Sequence, residues 1–202
     1  SSERMYVDGV TMYHFYIDEA PAGPIKEGLI DTLMLIYDQR IEYFKDEGNV
    51  LGRKGRDLLS YHGEDMDEVE KAYEMLKKSV EIQGKKSQDA VLLLFMTSGI
   101  ALKNEGRIDD NQVIEDYFSV IVILDQLEGR SSRWARTRAS IDEMMLKENI
   151  LTCEALDGYF KPQMEQNKSN VTFLEKVIRF YTTTGCDRSE IYASASENLY
   201  SI

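Results

Sequence analysis

The stretch PIKEGLIDTLMLIYDQRIEYFKDEG, Pro24 to Gly48, decides how this sequence is read. Ile25, Leu29, Leu33, Met34, Tyr37, Ile41 and Phe44 follow one another at steps of one, three or four, which gathers them on one side of a helix. A half-buried strand would alternate, and this stretch does not. Pro24 suits a helix's first turn, where no N–H partner is lost. Gly48 is expected just past the helix end, where a left-handed backbone costs glycine least. An amphipathic helix of this length must bury its apolar stripe against something else.

Working outward, Met66, Val69, Ala72, Tyr73, Leu76 and Val80 make a second stripe, led in by Glu64, Asp65, Asp67 and Glu68, whose charges favour a helix N-terminus, and closed by Gly84. Ala90 to Leu102 is apolar nearly all round, so it is expected at the centre of the structure, with Leu93 among its core residues. Gly106 ends that segment. Asp109 and Asp110 open the next, which carries Val113, Ile114, Tyr117, Phe118, Ile121 and Leu124. Trp134, Ile141, Met145 and Leu146 mark a further helix, and Cys153 to Phe160 another that Pro162 should limit. Leu174 to Tyr181 and Ile191 to Leu199 are the last two.

These segments group into helix pairs at 3–46, 49–84, 87–128, 131–166 and 169–202, each roughly 34 to 44 residues long. Helix pairs recurring at that length cannot bury their apolar faces alone and stack on their neighbours. The expected fold is all-α, an α-solenoid of stacked antiparallel helix pairs forming one domain over 1–202. The chain opens with Ser1 rather than Met, which suits a chain trimmed of a leader or of a first repeat.

Composition narrows the function classes. The 202 residues carry 36 acidic and 24 basic side chains, a net charge of −12, and 43% are hydrophobic. That hydrophobic fraction is too high for a disordered chain. The acidic balance argues against nucleic acid as a partner, because phosphate recognition needs lysine and arginine. The longest unbroken apolar run, Ala90 to Met96, is far short of a membrane span.

A family resemblance enters with particular residues. Ala72, Leu76 and Ser79 reproduce the small, large, small spacing of a tetratricopeptide repeat's second helix. IDTLMLIYDQRIEYF (30–44), VLGRKGRDLL (50–59) and VEKAYEMLKKSVEIQGKKSQDAV (69–91), with TCEAL and GCDRSEIY further on, resemble exported tetratricopeptide-repeat-like proteins of the Bacteroidetes group. The resemblance implies a periplasmic or cell-envelope helical-repeat protein with no catalytic residues to carry over. It also implies that the first helix of each pair lines a concave groove, which would place Arg53, Lys54, Arg56, Arg133 and Arg136 near that groove. The chain departs from the repeat consensus where Thr137 and Arg138 follow Trp134 in place of Leu and Gly.

The chemistry-bearing residues are sparse. His14 and His62 are the two histidines and have no metal-ligand spacing. Counting twelve positions from Asp65 reaches Leu76 where a calcium loop needs a carboxylate. Gly52-Arg53-Lys54-Gly55-Arg56 lacks the ending of a phosphate-binding loop, and no Gly-x-Ser-x-Gly turn exposes a nucleophile. No enzyme activity, metal or cofactor is expected.

Charge is distributed with a pattern. The first helices 49–62, 130–148 and 169–184 are net positive and 87–107 is neutral, whereas the second helices 64–83, 109–128, 150–166 and 186–202 are all net negative. Either the alternation supports adjacent helices, or the basic helices dock an acidic protein or peptide segment. A non-enzymatic interaction scaffold is therefore the leading expectation. The alternative is a glycan-binding accessory using Tyr13, Tyr16 and Trp134 as stacking surfaces. Cys153 and Cys186 are 33 residues apart, close to one repeat, so stacking would set equivalent positions side by side. A disulfide and two separate buried thiols both fit that spacing.

Overall fold

The computed structural model describes residues 2–127 and 129–202. Among them lie ten α-helices and no strand: α1 (Glu3–Glu19), α2 (Pro24–Phe44), α3 (Glu47–His62), α4 (Met66–Gln83), α5 (Asp89–Asn104), α6 (Asp110–Leu127), α7 (Ser132–Lys147), α8 (Cys153–Met164), α9 (Val171–Thr183) and α10 (Glu190–Tyr200). Ser1, and Glu128 at the expected end of the third helix pair, lie outside the described residues.

Helix starts follow the polar signals. Asp65, Thr152, Asn170 and Ser189 each accept a first-turn backbone N–H with the side chain, and the Asp109 carboxylate does the same for Gln112. Helix ends follow them less closely. Lys45, not Gly48, takes the left-handed conformation that closes α2, because α3 begins at Glu47 and draws Gly48 into its first turn. Pro162 does not stop α8 either, which runs on to Met164 before tightening into a 3-10 turn at Glu165–Asn167.

Helices pack chiefly on their chain neighbours, α1 on α2, α3 on α4, α4 on α5 and α9 on α10, while α5 rests on α7 about as much as on α6, its expected pair partner. The pair expected at 131–166 is looser: α7 rests on α5 and α6, and α8 on α6 and α10. The connection between α7 and α8 buries Ile150 and Leu151 in the main core.

The core falls into two clusters. The larger runs from Val69 on α4 to Ala195 on α10, and the smaller joins Val10, Ile17, Ile30, Leu33, Tyr37 and Val50. Helix α5 is buried on several sides, yet Leu93 is only partly buried. Leu92, Phe95 and Met96 are the side chains that point inward, and α6 buries more residues than α5.

Four buried tyrosines bind these layers by donating their hydroxyls to aspartates on other helices. Tyr37 on α2 donates to Asp57 on α3 at 2.6 Å, Tyr73 on α4 to Asp116 on α6, Tyr117 on α6 to Asp142 on α7 at 2.8 Å, and Tyr181 on α9 to Asp157 on α8 at 2.7 Å. Each hydroxyl is satisfied where water is excluded.

Candidate functional site

Helices α3, α4 and α5 converge at Gly52. A β-carbon on Gly52 would lie 2.7 Å from Ser79 Oγ on α4 and 3.0 Å from Val91 Cγ2 on α5, so those two side chains pack directly on the bare backbone of α3. One turn away on α3 the pattern repeats, with Gly48 against Ile82 and Gln83 and Gly55 against Leu76. Glycine weakens a helix interior by roughly 0.5–1 kcal/mol, a cost offset here by a closer approach than any side chain would allow.

Beside this junction opens a cavity of about 350 Å³, with Gly52, Ser79 and Val91 in its wall. Arg53 and Arg56, three residues apart and thus on one face of α3, both line it. Arg53 Nε donates to Asn49 at 3.2 Å, and its guanidinium has no carboxylate partner among the described residues. Arg56 is committed to its neighbour Asp57, through Nε at 3.1 Å and Nη2 at 3.0 Å. Lys86 lines the far rim, also without a carboxylate partner among the described residues. Asp46 is the acidic residue in the lining, and it already accepts from Arg40 at 3.3 Å and Asn49 at 2.9 Å.

Ser87 lies in the cavity wall with its Oγ closed off from solvent. It is 4% exposed, and its Oγ is the buried side-chain polar atom without a hydrogen-bond partner among the described residues. Its backbone N–H donates to Gly84 at 2.9 Å. The next residue, Gln88, occupies the N-cap of α5 without a side-chain bond to the helix, and its carbonyl accepts from the Val91 N–H at 3.0 Å and the Leu92 N–H at 3.2 Å. Nothing in the sequence singled out Ser87. Its isolation depends on how the α4–α5 connection folds.

The other basic residues lie elsewhere. Lys54 is buried on the opposite side of α3 and is tied to Asp38 on α2. Arg133 approaches Asp89 at 3.6 Å and its guanidinium covers the Trp134 ring at 5.0 Å, while Arg136 is exposed and near Ser132. Thus the structure brings Arg53 and Arg56 into one cavity and leaves Lys54, Arg133 and Arg136 outside it.

In other polar clusters the basic side chains are paired with carboxylates. Between α6, α7 and α9, the Asp125 carboxylate accepts from Arg138 at 2.5 Å and from Arg179 at 3.1 Å. On the α2–α3–α4 side, His62 faces Glu27 at 3.5 Å and Lys71 holds Glu68 at 2.6 Å. His14 Nε2 lies 2.6 Å from the Asp57 oxygen that also accepts from Tyr37, an arrangement that ties α1 and α2 to α3. No group of three or more His, Cys, Asp or Glu residues is disposed to hold a metal among the described residues, and no described helix is long and apolar enough to cross a membrane.

The aromatic residues considered for stacking are divided. Trp134 packs against the larger core cluster and Tyr13 against the smaller, both half-buried, whereas Tyr16 is exposed beside Phe15, ring centroids 6.0 Å apart. Cys153, which opens α8, forms a disulfide with Cys186 in the α9–α10 connection, with the Cα atoms 5.4 Å apart.

Comparison with protein-family models, curated proteins and solved structures finds no match.

Proposed function

We propose that the chain is a non-enzymatic interaction scaffold of a bacterial cell envelope, built as a divergent tetratricopeptide-like α-solenoid that docks an acidic protein or peptide segment. The observation that carries this is the pair Arg53 and Arg56 in an open cavity at the α3–α5 junction, with Arg53 lacking a carboxylate partner among the described residues. Contacts of α3 with α5, α5 with α7, α6 with α8 and α8 with α10 support the solenoid, since first helices meet first helices and second meet second. The disulfide supports an oxidising compartment.

The experiment replaces Arg53, Arg56, Arg133 and Arg136 with Glu and measures binding of a glutamate-rich peptide by fluorescence anisotropy, alongside capture from Bacteroidetes envelope extract. Opposite charges steer encounter and set register, so reversal should weaken the peptide by about tenfold or more at low salt. Equal binding by a variant with the native melting curve would reject the basic face as the docking surface.

Glycan capture is the second reading, and the exposed pair Phe15 and Tyr16 on α1 is what favours it. Retardation in a polysaccharide gel that is lost on Phe15→Ala with Tyr16→Ala would support it; migration unaffected by the polysaccharide would exclude it.

A further inference from the structure

We propose that the outer face of the α1–α2 pair, the side turned away from α3, docks a basic amphipathic helix of another protein. The proposal goes beyond the scaffold reading and uses nothing of the Arg53–Arg56 cavity, so either can fail without the other.

The two helices present matched rows. On α2, Ile25, Leu29, Thr32, Ile36, Gln39 and Tyr43 recur at steps of four and three in strict alternation, the spacing of a coiled-coil seam, and none of them is charged. On α1, Met5, Gly9, Met12 and Tyr16 recur at steps of four, three and four, again without a charge. The rows lie side by side. A β-carbon on Gly9 would touch Ile36 at 3.8 Å, and the ring of Tyr6, next to Met5, has its centroid 6.4 Å from that of Tyr43.

The inward faces of both helices are already occupied, because Val10, Ile17, Leu33 and Tyr37 join Val50 of α3 in the smaller core cluster. In the outer rows Met5, Met12, Tyr16, Ile25 and Tyr43 stay between 45% and 70% exposed, so no other described element covers them. Gly9 leaves a gap between Met5 and Met12, the kind of hole that a side chain from a third helix fills. The α2 row extends over about 27 Å of helix, which a partner segment of about five turns would match.

Acidic rims border the rows, and helical spacing places them. On α1 the rim is Asp8 and Glu19; on α2, beyond the exposed Leu35, it is Asp31 and Glu42. Asp8 is shared with Arg4 at 3.7 Å, whereas Glu19, Asp31 and Glu42 have no cationic partner among the described residues. An uncharged groove between such rims selects a helix with apolar residues at its own seam and lysine or arginine beside them. A second copy would set acidic rim against acidic rim across a two-fold axis. An anionic membrane surface would be repelled by the same rims. The methionine and isoleucine side chains between the two tyrosines suit an apolar helix face better than a sugar ring.

The test is fluorescence anisotropy of the whole chain with labelled synthetic peptides of about 21 residues, three heptads. The first carries Leu at the seam positions and Lys beside them, the second is a scramble of the same composition, and the third has Glu in place of Lys. Saturable binding is expected for the first, with the scramble weaker by about tenfold or more and the Glu peptide unbound.

Met12→Glu with Tyr43→Glu should weaken the first peptide by about tenfold or more, although added negative charge alone would strengthen its attraction to lysine. Tyr200→Glu, at an exposed tyrosine that ends α10, should leave binding unchanged. Glu19→Lys with Glu42→Lys should weaken it by about threefold or more at low salt and less at high salt. Equal binding of the scramble would overturn the proposal, as would full affinity in the Met12/Tyr43 variant or in the Glu19/Glu42 variant with the native melting curve. Sedimentation showing a dimer that Met12→Glu with Tyr43→Glu dissociates would overturn it too, and would give the face to a second copy of this chain.

Discussion

Gly52 and Ser79 approach so closely that a β-carbon on the glycine would stand 2.7 Å from the serine Oγ, which is itself held at 2.6 Å by the Gly48 carbonyl. The backbone of α3 therefore rests directly on the Ser79 side chain of α4, and Val91 of α5 closes the third side at 3.0 Å.

Gly52→Val should consequently destabilise the protein by about 1–3 kcal/mol, because the added methyl groups must push α4 or α5 away. Gly28, in the second turn of α2 with open space around it, supplies the contrast. Gly28→Ala should stabilise by roughly 0.5–1 kcal/mol through helix propensity and reduced freedom of the unfolded chain. Urea denaturation of both variants checks the opposite signs.

How much of this was legible in the sequence depends on which forces act locally. The stripe Met66 to Val80 specifies α4 because helical periodicity is written in a single segment, and the acidic lead-in places its N-cap at Asp65. Gly48 was misread as a helix end because glycine serves left-handed turns and close helix contacts equally, and only the position of α4 decides between them. Arg53 and Arg56 could be named from charge alone. Lys54, one residue from Arg53, could not be assigned a direction without knowing that α2 carries Asp38 against it. Ser87 left no sequence signal at all, since an unpartnered hydroxyl is a property of its surroundings.

The distinction between Leu92 and Leu93 gives a second prediction. Leu92 is fully buried in the larger core cluster, whereas Leu93 only packs against its edge. Leu92→Asp places an unpaired charge where water cannot reach it, and the native fold should be lost at 25 °C. Leu93→Asp leaves its charge a path to solvent, so a cooperative melt at reduced temperature is expected. Circular-dichroism melts that rank the two variants in the other order would mean that the inward face of α5 is wrongly assigned.

Alkaline pH tests the tyrosine–aspartate bonds. Burial, together with the hydrogen bond and charge of the facing aspartate, pushes Tyr37, Tyr73, Tyr117 and Tyr181 far above the ordinary tyrosine value of 10.0. Above pH 10 the unfolded chain releases these protons and the folded chain does not. The unfolded state then binds fewer protons, and stability falls as pH rises. Below pH 10 the four contribute their full stabilisation. Absorbance titration at 295 nm should show these four tyrosines ionising only as the protein unfolds. Tyr73→Phe, which takes the hydroxyl donor from Asp116 Oδ2 while Lys77 and Gln112 remain on Oδ1, should cost about 1–3 kcal/mol at neutral pH.

The bond between Cys153 and Cys186 links the start of α8 to the α9–α10 connection across 33 residues of chain. Closing a loop of that length removes unfolded-state freedom equivalent to about 3–4 kcal/mol in the chain-entropy model. The gain falls on the C-terminal helices, where α10 buries a single residue, Ala195, and holds little apolar area of its own. Cys153→Ala with Cys186→Ala should therefore lower the overall denaturation midpoint and, more specifically, strip hydrogen-exchange protection from α9 and α10 before α3 and α4. Protection lost uniformly would place the bridge's effect on global stability alone. Thiol titration of denatured protein, purified without reductant from its native compartment, should find no free thiol. Two free thiols there would break the bridge and with it the oxidising environment on which the envelope assignment leans.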